Sequence, residues 1–212
     1  MSSCSCEGFE EEFDQANAAA DLERYRSIGP DQTTQILLDA LKDEGVQGMS
    51  LLDIGGGVGV VQLELLKVGV KSAISVEASN SYAGAAREEA ERQGNVNRIK
   101  HEFGNFIDIA ERIPKADIVT LDRVVCCYKD MRALVGLSAA HASKLYGVVY
   151  PRDHWFEKVR VAIENIFHRL RGDQYRAYVH SATAVDAIIR GAGLKRRSYH
   201  QTLIWQVIVY GR

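Results

Sequence analysis

The segment Ser50-Leu51-Leu52-Asp53-Ile54-Gly55-Gly56-Gly57-Val58-Gly59 constrains this chain more than any other. A short apolar run ending on closely spaced glycines predicts a buried strand followed by a tight turn. Glycine lets the backbone take left-handed conformations and approach a ligand with no side chain in between. Val61, Leu63, Leu65, Leu66 and Val68 then continue at a spacing that fits a helix. The unpaired N–H groups at the start of such a helix face whatever sits on the turn, so a polar, nucleotide-like ligand is expected there.

The same unit recurs along the chain. Met1 to Gly8 are small and polar without a period and are expected to be disordered; a first helix is expected from around Phe9 or Phe13. A helix from Thr33 stops at the breaker Gly45. Ser72 to Val76 is a second strand ending at Glu77, and Tyr82 to Gln93 is an Ala-rich helix closed by Gly94. Strands are expected at Ile99–Phe103, Ala116–Leu121 and Leu145–Tyr150, with helices at Phe106–Arg112 and Met131–Ala142. Such alternation implies a parallel sheet with helices on both faces. Phe156, Val159, Ile163, Ile166, Phe167 and Leu170 then form one helical stripe, inserted before the helix Ala182–Gly191. That insertion, within residues 151–181, is either a lid over an apolar substrate or a helix packed on the domain. Leu194–Tyr199 and Leu203–Tyr210 lie too close together for a parallel crossover and must pair antiparallel. The expected fold is α/β, a Rossmann-like sandwich whose seven-stranded sheet is mostly parallel with its last strand antiparallel.

Composition narrows the classes. A chain of 212 residues, 46% apolar and 25% charged, fits one domain spanning 1–212. Its formal charge of −2, with no long basic run, lacks the footprint of a nucleic-acid binder, so no nucleic-acid partner is expected. There is no run of eighteen apolar residues and no basic-then-apolar leader, so neither a membrane span nor a signal peptide is expected, and the reading is cytoplasmic. The cysteines fall in two tight pairs, Cys4/Cys6 and Cys126/Cys127. This is not the pattern of a disulfide scaffold, and C-x-C with a distant C-C matches no common zinc spacing. Reduced thiols and no metal are expected, with Cys126 and Cys127 as small buried side chains at a strand end.

Glu77 ends the second strand about twenty residues after the glycine turn, where an acidic side chain can hold a ribose diol. A dinucleotide fingerprint G-x-G-x-x-G would need glycine at Val60 or Gln62, and neither is one. An NAD-dependent oxidoreductase is therefore the weaker reading. Leu52-Asp53-Ile54-Gly55-Gly56-Gly57-Val58-Gly59 resembles motif I of the class I S-adenosylmethionine (SAM)-dependent methyltransferases, and the resemblance runs from about Tyr25 to the C-terminus. It implies SAM as cofactor, converted to S-adenosylhomocysteine. It also implies that Asp53, Gly55, Gly56 and Gly57 form the cofactor turn, with Glu77 and Ala78 at the ribose. Gly104-Asn105-Phe106 stands where the family often carries Gly-Asp-[Phe/Ala], which gives Asn105 and Phe106 to the adenine. Asp122 and Val124 fall in the segment lining the methionine end, and Tyr25 and Arg26 in the N-terminal part that closes over the cofactor. No proline follows Asp122, unlike the nucleic-acid amino-methyltransferases, which points to a small-molecule acceptor. Tyr150-Pro151-Arg152-Asp153-His154-Trp155 and the inserted helix resemble the magnesium-protoporphyrin O-methyltransferase type.

Methyl transfer from a sulfonium is an in-line displacement that mainly needs positioning in a dry site. A carboxylate acceptor is already ionised near neutrality, whereas a hydroxyl benefits from a base. The catalytic candidates at the carboxyl edge of the sheet are His154 as base, Tyr128, and Arg152 to position an acceptor carboxylate; Asp153 is expected to cap the helix starting at Trp155. The expected activity is methyl transfer to a small-molecule oxygen, carboxylate or hydroxyl. The alternative from another class is a SAM-binding module without turnover.

Overall fold

In the computed structural model, which describes residues 8–212, β1 (Ser50–Ile54) carries side chains of opposite destinations on alternate residues. Leu52 and Ile54 join one core cluster and Leu51 the other, the period-two signature of a strand buried on both faces. The same alternation separates Val119 and Leu121 from Ile118 on β4 (Ala116–Asp122), and Ile208 and Tyr210 from Val207 and Val209 on β7 (Trp205–Gly211). With β2 (Ser72–Glu77), β3 (Ile99–Phe103), β5 (Ala142–Pro151) and β6 (Lys195–Gln201), these strands form one sheet of order β3-β2-β1-β4-β5-β7-β6. The first five pair parallel, while β7 runs antiparallel to both β5 and β6. This is the Rossmann-like α/β sandwich expected from the sequence.

The helices are α1 (Phe9–Glu12), α2 (Gln15–Ile28), α3 (Gln32–Asp43), α4 (Val60–Lys67), α5 (Asn80–Arg92), α6 (Phe106–Ile109), α7 (Met131–His141), α8 (Trp155–Arg171) and α9 (Ala182–Gly191). Leu37, Leu38 and Leu41 of α3 and Leu63 and Leu65 of α4 bury one sheet face; Leu134 and Val135 of α7 and Val185 and Ile189 of α9 bury the other. Side-chain caps fix several starts: Asp14 accepts from Asn17 N, Asp31 from Thr33 N and Thr34 N, and Ser79 from Tyr82 N.

Three local expectations change. The chain passes from α7 into β5 without a loop, because Ala142 is already extended and pairs with Ala116. Asp153 does not cap α8. Its Oδ2 accepts from Ala182 N at 3.2 Å, tying the loop to α9, and His154 stands at the N-cap with no side-chain bond. The stripe of α8 faces outward rather than onto the domain, with Trp155 77% and Leu170 78% exposed. The expectation for Met1–Gly8 lies outside the described residues apart from Gly8, which packs against the backbone of Tyr175.

Candidate active site

The order β3-β2-β1-β4 reverses the direction of chain winding between β1 and β4, and crevices at such switch points bind ligands at the carboxyl ends of the strands. A cavity of about 280 Å³ opens there, near the lower end of the range for small-molecule sites. Gly55 N donates to Val76 O at 2.8 Å, which carries β1 into the turn, and Gly55 and Gly57 sit at φ +63° and +57°. A Cβ on Gly55 would lie 2.5 Å from Val124 Cγ2. This turn therefore requires glycine both for its conformation and for its closeness to the segment after β4.

Glu77 closes the opposite wall. Its Oε1 accepts from Ala78 N at 2.8 Å and Ser79 N at 3.0 Å, and its Oε2 accepts from Gly57 N at 3.0 Å. Two carboxylate oxygens offer about four lone pairs, so by count one position remains on Oε2. Burial pushes the Glu77 pKa up against these three donors. Beside it, Val76, Ala78, Gly104 and Phe106 make an apolar slot.

The far end is charged. Asp21, Asp122 and Arg123 line both this cavity and an adjoining recess of about 80 Å³, to which Arg24, Tyr25 and Gly56 also contribute. Asp122 Oδ2 accepts from Thr34 Oγ1 at 2.5 Å, while Oδ1 accepts no hydrogen bond and has Arg123 Nε 3.4 Å away. Burial raises the Asp122 pKa, opposed by Arg123 and Thr34. Arg123 also meets Asp31 at 2.7 Å. Burial works against its charge, but Asp122 and Asp31 outweigh it and hold the guanidinium above its usual pKa. Among described residues Arg123 is the one non-glycine with positive φ, +60°, a strained conformation of the kind that concentrates at functional sites.

The third end is aromatic. Phe9, Phe13, Tyr128 and Cys127 line it, and α1 lies across it as a strap. Phe9 meets Tyr128 edge-on at 5.5 Å between centroids, and Phe13 meets Tyr82 at 5.7 Å and Tyr175 at 5.7 Å. Polar bonds pin the strap on both sides: Asn80 N donates to Glu10, Gln174 N to Glu11, and Ser79 Oγ to Phe13 O.

Of the residues singled out in the sequence, Gly55, Gly57, Glu77, Ala78, Phe106, Asp122, Val124 and Tyr128 come together on the cavity. Gly56 and Tyr25 line the recess, although the Tyr25 hydroxyl is committed to Glu64 at 2.7 Å. Asp53 lies beneath the turn, buried, with Oδ1 accepting from Thr120 Oγ1 at 2.7 Å. Asn105 caps α6, and its Oδ1 takes both Ile107 N and Tyr128 OH, so the contact assigned to adenine is occupied internally. Arg26 is turned away into an ion pair with Glu88 and Glu89. Arg152 binds Thr202 O at 3.0 Å, and His154 stacks on Phe156; neither lines the cavity. Phe9, Phe13, Asp21, Tyr82, Arg123 and Cys127 line it without having been singled out as site residues. Phe9 and Phe13 at i, i+4 inside an acidic segment were the readable signal. The Arg123 conformation had none.

Cys126 and Cys127 follow β4 in a single 3₁₀ turn with their sulfurs 4.0 Å apart, both unbridged. Cys4 and Cys6 lie outside the described residues.

Residues 12–144 match the model of the O-methyltransferase domain family, more than half of the chain. The chain belongs to the O-methyltransferase domain family. Proteins of the same fold have been solved with SAM or S-adenosylhomocysteine bound. In fold it is similar to the magnesium protoporphyrin IX methyltransferase of Synechocystis PCC 6803, solved with bound S-adenosylhomocysteine, at a TM-score of 0.69 and 18% identity over 92% of this chain and 95% of that one. An O-methyltransferase family protein from Burkholderia thailandensis gives a TM-score of 0.72 at 15% identity, over 96% of this chain and 62% of the other. In sequence it resembles ribosomal protein L11 methyltransferases: 27% identity to that of Enterobacter sp. over 51% of this chain and 36% of the relative, and 26% to that of Erwinia tasmaniensis over 68% and 52%. The chain thus spans about a third to a half of the length of these curated relatives.

The residues present fit the cofactor. The apolar slot suits an adenine, the free Oε2 position of Glu77 a ribose hydroxyl, and the unbonded Asp122 Oδ1 beside Arg123 an amino acid end with both charges.

Proposed function

We propose that this chain is a SAM-dependent methyltransferase that transfers the methyl group to an oxygen, most simply a carboxylate, of a small and largely apolar molecule held in the aromatic end of the cavity. The observation that carries this reading is the composition of that end: Phe9, Phe13, Tyr128 and Cys127, with no histidine or lysine among the described residues lining the cavity. Tyr128 donates its hydroxyl proton to Asn105 and so acts as a wall. An acceptor that must lose a proton would find the carboxylates of Asp21, Glu77 and Asp122, which accept from Tyr82, from the backbone and from Thr34, and the Cys127 thiol, which accepts from Tyr175, so all four are engaged with the chain itself. A carboxylate arrives ionised and needs none of them.

Bound SAM would supply an electrophilic methyl carbon on its sulfonium. The chain's part is placement and exclusion of water. Gly55 and Gly57 let the backbone come close, Glu77 anchors the diol, Arg123 and Asp122 hold the charged tail, and the α1 strap covers the reacting end. His154 and Arg152, both away from the cavity, have no part in this reading. The small-molecule assignment is supported by the cavity volume and by the strap across it. A structural neighbour from Planctomyces limnophilus was solved with apigenin and one from Streptomyces coelicolor with geranyl diphosphate. The L11 relatives act on a protein, but the match spans about a third to a half of them and does not bring their acceptor with it.

The test is release of S-adenosylhomocysteine from SAM in the presence of a panel of aromatic and aliphatic carboxylates, phenols and amines, with the product identified by mass spectrometry. Methyl ester formation on an apolar carboxylate is expected, at a rate unchanged in His154→Ala. Turnover confined to amines, or abolished by His154→Ala, would overturn it.

A further inference from the structure

Helix α8 is amphipathic in the wrong direction for a helix that ends its life on this domain. Its inward row holds Glu157 at 1%, Val161 at 5% and His168 at 8% exposure. The polar members are individually satisfied: Glu157 binds Arg160, and His168 Nδ1 lies 3.1 Å from Asp173. Between them Asn165 exchanges two bonds with the backbone of Ala177, at 2.8 and 2.9 Å. The outward row holds Trp155, Val159, Ile163, Ile166, Phe167 and Leu170, exposed by 49% at Val159 to 78% at Leu170. A surface helix ordinarily buries its apolar stripe and leaves its polar face to water. Here the Asn165–Ala177 bonds and the contacts of His168 with Asp173 and Tyr175 hold the polar row inside, which leaves the apolar row available for something else.

We propose that this face is the interface of a homodimer, formed by antiparallel packing of α8 against α8 of a second copy about a two-fold axis near Ile163. Four members of the stripe pair about a common centre, with Phe167 falling opposite Lys158. A two-fold there sets Trp155 of one copy against Leu170 of the other and Val159 against Ile166, large side chains with large and branched with branched, as an isologous interface requires. The six side chains present on the order of 600 Å² of apolar surface, the upper limit for an ordinary monomer patch and close to the ~800 Å² per partner of a stable interface. Leu203, 75% exposed, extends the patch past Trp155, because Arg152 bonds Thr202 O and Ile204 O and so draws that turn beside the start of α8. The competing route, edge-to-edge pairing through β6, is blocked by Lys195, Arg196 and Arg197 on the exposed edge strand. A lipid surface is the competing occupant: Arg160 is neutralised by Glu157 and Glu164, whereas Lys158, Arg169 and Arg171 are exposed on the same helix, and the vesicle arm of the test separates the two. The dimer also bears on the site, since Val161 on the inward row packs with Tyr175 and Ala177, and that cluster touches Phe9, Phe13 and Cys127.

Sedimentation velocity of the full chain, from low to high micromolar, tests this. The wild type should be a dimer; Ile163→Asp and Ile163→Lys should each be monomeric, since the substituted side chains meet their own copies near the axis. An equimolar mixture of the two should restore the dimer. Far-UV circular dichroism and S-adenosylhomocysteine binding, both unchanged, show that the variants are folded, and Arg197→Glu on the β6 edge should leave the dimer intact. A wild-type monomer at all concentrations overturns the proposal, as does a dimer that survives both substitutions. A monomer that sediments with anionic vesicles overturns it in favour of a lipid surface.

Discussion

Replacing Asp53 by Asn should stabilise the protein above neutrality and remove most of a pH dependence that the wild type carries. Asp53 is fully buried beneath the glycine turn, and loss of hydration raises its pKa from 3.8 to about 7, against one favourable bond from Thr120. Its Oδ2 and the neighbouring Ser75 Oγ have no hydrogen-bond partner. The folded state therefore holds its proton more tightly than the unfolded chain. Below pH 3.8 both are protonated and stability is complete; as pH rises towards 7 the unfolded state ionises first and stability falls. A shift of about three units is on the order of 4 kcal/mol at its limit. Asn keeps the acceptor for Thr120 but gives up the charge on it, on the order of 1 kcal/mol. The net gain near pH 8 should be about 2 to 3 kcal/mol, and near zero or slightly negative at pH 4. Urea denaturation at the two pH values measures it, provided the slope m stays constant. If Asp53→Asn destabilises equally at both pH values, the carboxyl is already ionised at pH 4 in the folded protein and the argument fails.

Gly55→Ala combines a positive φ with a Cβ 2.5 Å from Val124 Cγ2, and should cost roughly 2 to 4 kcal/mol, whereas Gly84→Ala in α5, which meets nothing within 4 Å, should gain about 0.5 to 1 kcal/mol; thermal melts of the pair should move in opposite directions. Glu77→Ala should weaken S-adenosylhomocysteine binding, read by calorimetry, by roughly tenfold or more, about 1.5 to 3 kcal/mol for a charge-assisted bond. An affinity unchanged within error would remove Glu77 from the diol. Arg123→Ala should weaken S-adenosylhomocysteine by a similar factor while leaving adenosine, which lacks the amino acid end, bound as before; equal losses for both ligands would show a collapse of the turn after β4 instead.

The fold was legible because each element satisfied two independent signals. β1, β2 and β4 are apolar runs closed by Gly55, by Glu77 and by Asp122, and the brevity of the segment between β6 and β7 left only the antiparallel choice. The cavity wall was legible for the same reason, since strand ends place Gly55, Glu77 and Asp122 side by side once the strand order is known. What sequence could not give was direction. Periodicity states that Trp155, Ile163 and Leu170 share a face of α8, but whether that face turns inward depends on whether its polar opposite finds partners: Glu157 pairs with Arg160 of the same helix, while Asn165 and His168 reach Ala177 and Asp173 in the segment that follows. Nearness to the carboxyl edge likewise brought His154 and Arg152 forward as catalytic candidates, yet β5 extends to Pro151 and pairs there with Trp205, carrying both beyond the crevice and into the loop that β7 holds. The aromatic end of the cavity was built by the part of the chain with the weakest pattern. Phe9 and Phe13 lie in a four-residue helix and the residue after it, held by Glu10, Glu11 and Ser79 rather than by any periodicity, so the wall that would choose the acceptor is fixed by long-range polar bonds that no local reading contains.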